Sequence, residues 1–460
     1  MGILKAGFAQ TDITPVGGPI SLCGQFEVRI TTEIHDPLMA VAMVLEKDDV
    51  RSIWVGADLN FCPTELSREV EELLADKLPG FASEQLAISV THSHTGPHIR
   101  KRGYISLTGE AGLQEDEGAL DSTECRRQIA AKIAEVVEAA WKNLTECQIE
   151  VAVAQIITGV NRRVVYKDGT AQMYGKLHGD NFIRMESRDG GPSQFLYVYR
   201  KEDHKLLGVT ADVPCPCQCN ESVNYVTGDY WGVVRQEIAA HYGDDVCVLG
   251  MCRAAGDLSP HAMVDRIPGY NDKRRQHQEA VDMGQWIAEN IISHQKRILF
   301  TYDSDTVLKQ AGITPSYELW PVTDEEYKEA KAYNLEVPEY DPSNPKFEKF
   351  KFANSWVQVQ RVENQPKTME VLIRATKIGD VTLVSLPGEI YIEFADRIRM
   401  ACPETLVFDV ELACSHIGYL ATEAAVQGGH YSANIFNGLF TPAEGDKMVA
   451  DAIALIRSLY

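Results

Sequence analysis

A chain of 460 residues, 45% hydrophobic and 24% charged, has the make-up of a globular protein able to bury one large core. Its formal net charge of −22 argues against nucleic acid and anionic membrane surfaces as partners, since both are polyanions. No apolar run reaches transmembrane length, and residues 1–8 lack the basic start and apolar core of a signal peptide, so a cytoplasmic protein with its 11 cysteines reduced is expected.

In chain order, Ser52–Leu59 reads as an apolar strand and Thr64–Leu78 as a surface helix with a 3.6-residue period. Leu86–Val90 is a short strand that hands over to Thr91-His92-Ser93-His94-Thr95-Gly96-Pro97-His98. Alternate side chains of an extended segment share a face, so His92 and His94 should project together before Gly96-Pro97 turns the chain away. Imidazoles concentrated in this way suit a metal, a proton relay, or both. Arg100, Lys101 and Arg102 follow as a basic run that either meets solvent or greets an anionic substrate.

Glu124–Leu144 is a helix and Gln148–Ile157 a strand; Asn161-Arg162-Arg163 reads on its own as a solvated charge pair. Strands Gln194–Tyr199 and Leu206–Ala211 lead to Cys215-Pro216-Cys217-Gln218-Cys219, three thiols in five residues. Alternation would put Cys215, Cys217 and Cys219 on one face as a metal or redox cluster, against the plainer reading of buried apolar thiols. Thr227-Gly228-Asp229 opens a helix over Asp229–Tyr242, and strand Val246–Met251 ends in Arg253-Ala254-Ala255-Gly256-Asp257-Leu258-Ser259-Pro260-His261. A glycine-led loop at a strand end is where α/β proteins place functional groups.

A helix over Gly284–His294 precedes Ser316–Gln365, a charged helical insertion. Thr323-Asp324-Glu325-Glu326 forms its capping box and Pro338–Lys346 breaks it. It reads as a lid, an interface element or a solvated excursion. Strands Met369–Ile378 and Val381–Leu386 run into Pro387-Gly388-Glu389, where the glutamate is either functional or the cap of a following helix. Strand Thr405–Val410, the tyrosines of Gly418-Tyr419 and Gly428-Gly429-His430-Tyr431, and a last helix over Ala443–Tyr460 complete the chain. The alternation predicts an α/β fold, mixed β-sheets flanked by helices in one domain over residues 1–460. The strand–helix–strand arrangement around Asp58 is echoed around Glu389, which suggests a pseudo-duplicated core.

Six motifs then occur in an ordered set: Thr-Asp-Ile-Thr-Pro (11–15), Thr-His-Ser-His-Thr-Gly-Pro (91–97), Thr-Gly-Asp (227–229), Gly-Asp-Leu-Ser-Pro (256–260), Leu-Pro-Gly-Glu (386–389) and Gly-Tyr-Leu-Ala-Thr (418–422). In this the chain resembles the neutral/alkaline ceramidase family over its N-terminal catalytic domain, and implies a short form without the C-terminal immunoglobulin-like domain. The resemblance implies a zinc-dependent amide hydrolase. It makes His92, Glu389 and Tyr419 metal ligands and His94 the general base and then acid. Arg162 and Tyr431 would hold the carbonyl and its developing negative charge. Asp257 and Ser259 fall in a segment once proposed to hold a nucleophile.

One departure stands out, since the family's second zinc-binding histidine is replaced by Cys215. Cysteine is a good zinc ligand, so His92, Cys215, Glu389 and Tyr419 are expected to hold the metal with room for water, although a thiolate would cancel positive charge that acidifies that water. The expected function is therefore a zinc-dependent hydrolase cleaving an amide, ester or lactone bond of a small soluble substrate. Two alternatives are a metal-dependent lyase or glycoside-cleaving enzyme using His94 and Tyr431 for proton transfer, and a non-catalytic metal- or thiol-binding protein closed by Cys215, Cys217 and Cys219. A small molecule is the expected partner, without stable membrane association, and a homo-oligomer is left open.

Overall fold

The computed structural model of the protein describes residues 2–25, 28–101, 116–263, 277–339, 341 and 343–460. The large sheet is built from β1 (Lys5–Asp12), β2 (Met39–Lys47), β3 (Val50–Ala57), β4 (Leu86–Val90), β5 (Thr145–Ala154), β6 (Ser193–Arg200), β7 (Leu206–Val213), β8 (Cys247–Cys252) and β9 (Phe300–Tyr302). Among the described residues its order is β8-β7-β6-β5-β1-β2-β3-β4, with β9 also paired to β5. A smaller sheet has the order β10 (Leu308–Ile313), β11 (Ile373–Ile378), β12 (Val381–Ser385), β13 (Leu406–Val410).

Side-chain alternation explains how these sheets stack. In β2, Ala40, Ala42 and Val44 face helices α1 (Thr64–Lys77) and α2 (Ser122–Lys142). The alternate residues Val41, Met43 and Leu45 join Trp54, Leu383, Phe408 and Val410 in a second core between the sheets. Trp54 Nε1 donates to Thr376 Oγ1 across that interface at 3.0 Å. Helices α3 (Asp229–Tyr242) and α4 (His277–His294) cover the other end of the large sheet. Helices α7 (Ile392–Ala401) and α8 (Pro442–Ser458) cover the outer face of the small one. Helices, sheet, sheet and helices thus form four layers, and strands buried on both faces read as unbroken apolar runs.

Three crossovers position the functional residues. The pairs β3/β4, β7/β8 and β12/β13 are parallel, and α1, α3 and α7 respectively connect them. The echo between the segments around Asp58 and Glu389 is therefore real, and β7-α3-β8 repeats it a third time. His92 follows β4, Cys215 follows β7, Asp257 follows β8, Glu389 follows β12 and Tyr419 lies beyond β13, so all leave the carboxyl ends of parallel strands. Buried charges tie the units together. Asp58 accepts two 2.7 Å hydrogen bonds from Arg235 of α3. Arg253 lies 3.3 Å from Asp212 and 3.0 Å from Asp409.

Two expectations change. The single strand over Met369–Ile378 is two: Thr368–Glu370 pairs with Ser316–Glu318, whereas β11 joins the small sheet. The break falls where Ser415 Oγ takes the Leu372 N–H at 3.2 Å. The insertion opens with the expected box, Thr323 and Glu326 capping each other, and forms α5 (Asp324–Glu336) and α6 (Lys349–Glu363). It is more than a solvated excursion, because Phe350 packs on Tyr431 and Phe436 with ring centroids 6.3 and 5.8 Å away. No helix among the described residues is long and apolar enough to cross a membrane.

Candidate active site

The histidine loop is stitched to the end of β3: Thr91 N–H donates to Ala57 O at 3.0 Å and Ser93 N–H to Leu59 O at 2.9 Å. Extended geometry stops there, because His92 has φ 65, a left-handed conformation that few non-glycine residues adopt. The two imidazoles still meet, edge to face at 4.9 Å. His92 Nδ1 lies 2.8 Å from the Asn60 carbonyl, which requires the proton on Nδ1 and leaves Nε2 as the lone-pair nitrogen. That Nε2 is 3.5 Å from Glu389 Oε2.

His94 is buried, and neither ring nitrogen has a hydrogen-bond partner among the described residues. Burial first, then the neighbouring His92, push its pKa well below the usual imidazole range, so it is neutral. The backbone packs directly on the ring at Gly24, whose φ is +95 and where a Cβ would stand 2.6 Å from His94 Cγ. Arg29 locks the contact by donating to the Cys23 and His94 carbonyls at 2.8 and 2.6 Å.

Glu389 and Tyr419 face each other in register on two short parallel strands, Glu389–Ile390 and Tyr419–Leu420. Glu389 is not a helix cap; Asp257 Oδ1 instead takes the Ile392 N–H at the start of α7, at 2.9 Å. The Glu389 carboxylate engages the Tyr419 hydroxyl, and burial together with that charge raises the phenol well above its usual range. Arg162 lies alongside, donating to Tyr174 Oη and Gly256 O, each at 3.0 Å, and to Tyr419 Oη at 3.4 Å. Its own burial would lower its pKa, but its buried surroundings, with the Glu389 carboxylate among them, shift it upward on balance, and it stays charged. The Tyr431 ring stands 6.1 Å from that of Tyr419, and burial raises its pKa, so both phenols are hydroxyl donors at neutral pH.

Asn161-Arg162-Arg163 is therefore not solvated. Asn161 Nδ2 donates to Asp257 Oδ2 at 2.8 Å, and Leu258–Ser259 pairs with Val160–Asn161, so the Gly-Asp-Leu-Ser-Pro motif is structural support for Arg162. Arg163 is fully buried and clamps the Tyr431 loop through the Gly429 and Ala425 carbonyls. The basic run also changes character: Arg100 lies over the Phe61 ring at 5.3 Å, Lys101 is exposed, and Arg102 lies outside the described residues. His98 donates its backbone N–H to Ser21 O at 2.9 Å.

Cys215 departs furthest from expectation. The segment does not extend; Cys215 N–H turns back to Val213 O at 2.8 Å, and Cys217 N–H reaches Thr91 O at 3.0 Å. All three thiols are buried in the apolar cluster that contains Tyr230 and Trp231. Burial drives each thiol pKa well above its usual value. Among the described residues no three His, Cys, Asp or Glu side chains converge closely enough to hold a metal ion.

His92 and Glu389 with Tyr419 do fit a metal. Two donor atoms 3.5 Å apart are spaced as two ligands of one tetrahedral ion at about 2.0–2.2 Å. The Asn60 carbonyl on the far nitrogen of His92 is the outer hydrogen bond such histidines require. A histidine, a glutamate and a phenol are donors of the kinds zinc takes, and three of them would leave room for water.

Sequence reasoning did not single out Tyr174 or Glu221. Gln218 Nε2 donates to Tyr174 Oη at 2.7 Å, and Tyr174 Oη donates to Ser259 Oγ at 3.2 Å. A signal for Tyr174 existed: Asp168-Gly169 is a hairpin turn, and the paired strands Arg163–Tyr166 and Ala171–Met173 carry Tyr174 back beside Arg162. Glu221, 3.9 Å from His94 Nδ1, had none.

No family model and no curated protein matches the chain. Among solved structures it is similar to the neutral ceramidase of Pseudomonas aeruginosa, at 14% identity and a TM-score of 0.72, with 100% of this chain and 75% of that one covered. A ceramidase complexed with C2 is matched at 14% identity and a TM-score of 0.71, covering 100% of this chain and 76% of that one. The likeness that the ordered motifs imply thus extends to three dimensions, and the chain has the fold of the neutral ceramidases.

Proposed function

We propose that the protein is a zinc-dependent hydrolase of an amide, ester or lactone bond in a small polar substrate. The observation that carries the reading is the approach of His92 Nε2 to Glu389 Oε2 at 3.5 Å, beside the Tyr419 hydroxyl and the buried Arg162. His92, Glu389 and Tyr419 would hold the zinc, and Cys215 would not. When bound, zinc supplies Lewis acidity and lowers the pKa of water.

The chain's own groups supply the rest. Arg162 offers a fixed positive charge for the substrate carbonyl, and Tyr431 adds a hydroxyl that stays protonated. Donors held in place before the reaction stabilise a developing oxyanion without reorganisation. His94 is neutral, so it can take a proton from attacking water and return it to the leaving nitrogen or oxygen. The polar, ionisable lining suits a hydrophilic acyl compound better than a long-chain lipid, and a cytoplasmic setting accords with the reduced thiols.

The test combines metal analysis with turnover of p-nitrophenyl acetate, p-nitroacetanilide and dihydrocoumarin, with and without chelator. Turnover of at least one probe, lost on chelation and restored by zinc, is expected. Chelator-insensitive turnover would refute the metal's role. Cleavage of nitrophenyl glycosides with all acyl probes ignored would assign the glycoside-cleaving alternative, and a tightly held metal with no turnover would assign a binding protein.

A further inference from the structure

We infer that Glu221 is the positioning residue for His94, held in turn by a buried His261–Glu279 pair. Glu221 Oε2 lies 3.9 Å from His94 Nδ1 and accepts from Gln25 Nε2 at 3.3 Å. Its other oxygen is 3.5 Å from His261 Nε2, and His261 Nδ1 is 2.8 Å from Glu279 Oε2. His261 is further pinned by its backbone N–H, which donates to Ser259 Oγ at 3.1 Å. The result is a line of four ionisable side chains, Glu279–His261–Glu221–His94, running from the start of α4 into the site.

Such a line is costly to build. Side chains of Glu221 and His261 are only 5% and 1% exposed, and buried charge is tolerated only when paired. Pairing explains His261, whose pKa the two carboxylates raise despite its burial. It does not explain why the line ends on His94, whose nitrogens have no other partner among the described residues. A carboxylate on the Nδ1 side of an imidazole fixes the proton there and turns Nε2 into the base, the geometry of an oriented general base. Catalytic hydrogen bonds are often long before substrate binds, which accommodates 3.9 Å. Gly24 supports the assignment, because its missing Cβ lets the loop press on the His94 ring and limits its rotation.

The kinetic half of this inference rests on the proposed hydrolase reading; the structural half does not. Long-range ¹H–¹⁵N spectra of the full-length protein report the tautomers of its 12 histidines, with His94→Ala assigning the signal. The Nδ1–H tautomer is expected for His94 in the wild type, and its loss in Glu221→Met. An Nε2–H tautomer in the wild type overturns the inference without any variant having to fold. On p-nitrophenyl acetate, Glu221→Met should lower kcat roughly 10²-fold with KM nearly unchanged, and Glu221→Asp should recover part of it. Glu279→Gln, at the far end of the line, should lower kcat less. A kcat for Glu221→Met within about threefold of wild type, in a variant that melts normally, also overturns it. A wild type that turns over no acyl probe sinks the hydrolase reading, while the tautomer still decides the role of Glu221.

Discussion

Replacing Arg163 by methionine tests how the site is held together. The guanidinium donates to Glu186 at 2.6 and 3.2 Å, to the Gly429 carbonyl twice at 3.1 Å, to the Ala425 carbonyl at 3.1 Å and to Ser432 Oγ at 3.3 Å. Methionine fills the same space apolarly but strands Glu186, whose side chain is 8% exposed, and two carbonyls. Removing one partner of a buried ion pair costs about 3–5 kcal/mol, and the orphaned carbonyls place Arg163→Met at the upper end. In urea the midpoint should fall by on the order of 1 M with the slope unchanged. Activity should fall as well, through Tyr431, because the clamp holds that tyrosine's loop. The double variant Arg163→Met, Tyr431→Phe should then lose little more activity than the worse single one. A midpoint within 0.2 M or so of wild type, or activity losses that multiply, would refute the reasoning.

Tyr431→Phe alone should lower kcat about 10²–10³-fold on the responsive acyl probe and leave the melting temperature nearly unchanged, as expected for the loss of one oxyanion donor. Cys215→Ser should bind zinc in the wild-type ratio by metal analysis, whereas Glu389→Gln should lose it; the reverse pattern would restore Cys215 as a ligand. Gly24→Ala combines a φ of +95 with a 2.6 Å clash on His94, and should cost about 1–3 kcal/mol in denaturation together with most of the activity. His430, whose Nδ1 accepts the Met173 N–H at 3.1 Å, has its pKa pushed down to about 4, chiefly by burial. A depressed folded-state pKa means the native protein binds fewer protons, so stability is fully present above pH 6.5 and falls as pH drops toward 4. Denaturation midpoints should follow that slope, and His430→Asn should flatten it.

Helices were legible wherever an amphipathic stripe met a clear end: Asp229–Tyr242 matches residue for residue, and Thr323 caps where its box says it should. Strands β1 and β2, at the centre of the large sheet, carried no such signal. With both faces of β2 buried, Met39–Lys47 has no alternation, and its Ala, Met and Leu suit a helix as well as a strand. The site was legible to the extent that its residues sit in ordered motifs at strand ends. What escaped depends on tertiary pairing. The left-handed turn at His92 is set by Asn60 and the end of β3, and Tyr174 arrives through a hairpin. Motif order gave Cys215 its position, but not that its thiol lies with Tyr230 and Trp231 in the apolar cluster.

The three crossovers have a consequence for how the site is assembled. Arg162 and Tyr419 touch although 257 residues separate them, and His92 meets Glu389 across a still longer stretch of chain. Loops of that length close slowly, and no one strand–helix–strand unit contains a working subset of the site. During synthesis the site stays incomplete until Glu389 and Tyr419 have emerged and the small sheet has docked. A nick that releases the small sheet would take the site apart wherever the cut falls. Completion of the site therefore reports the docking of the two sheets, and a refolding assay read at His92 or Tyr419 should lag one read by helix content.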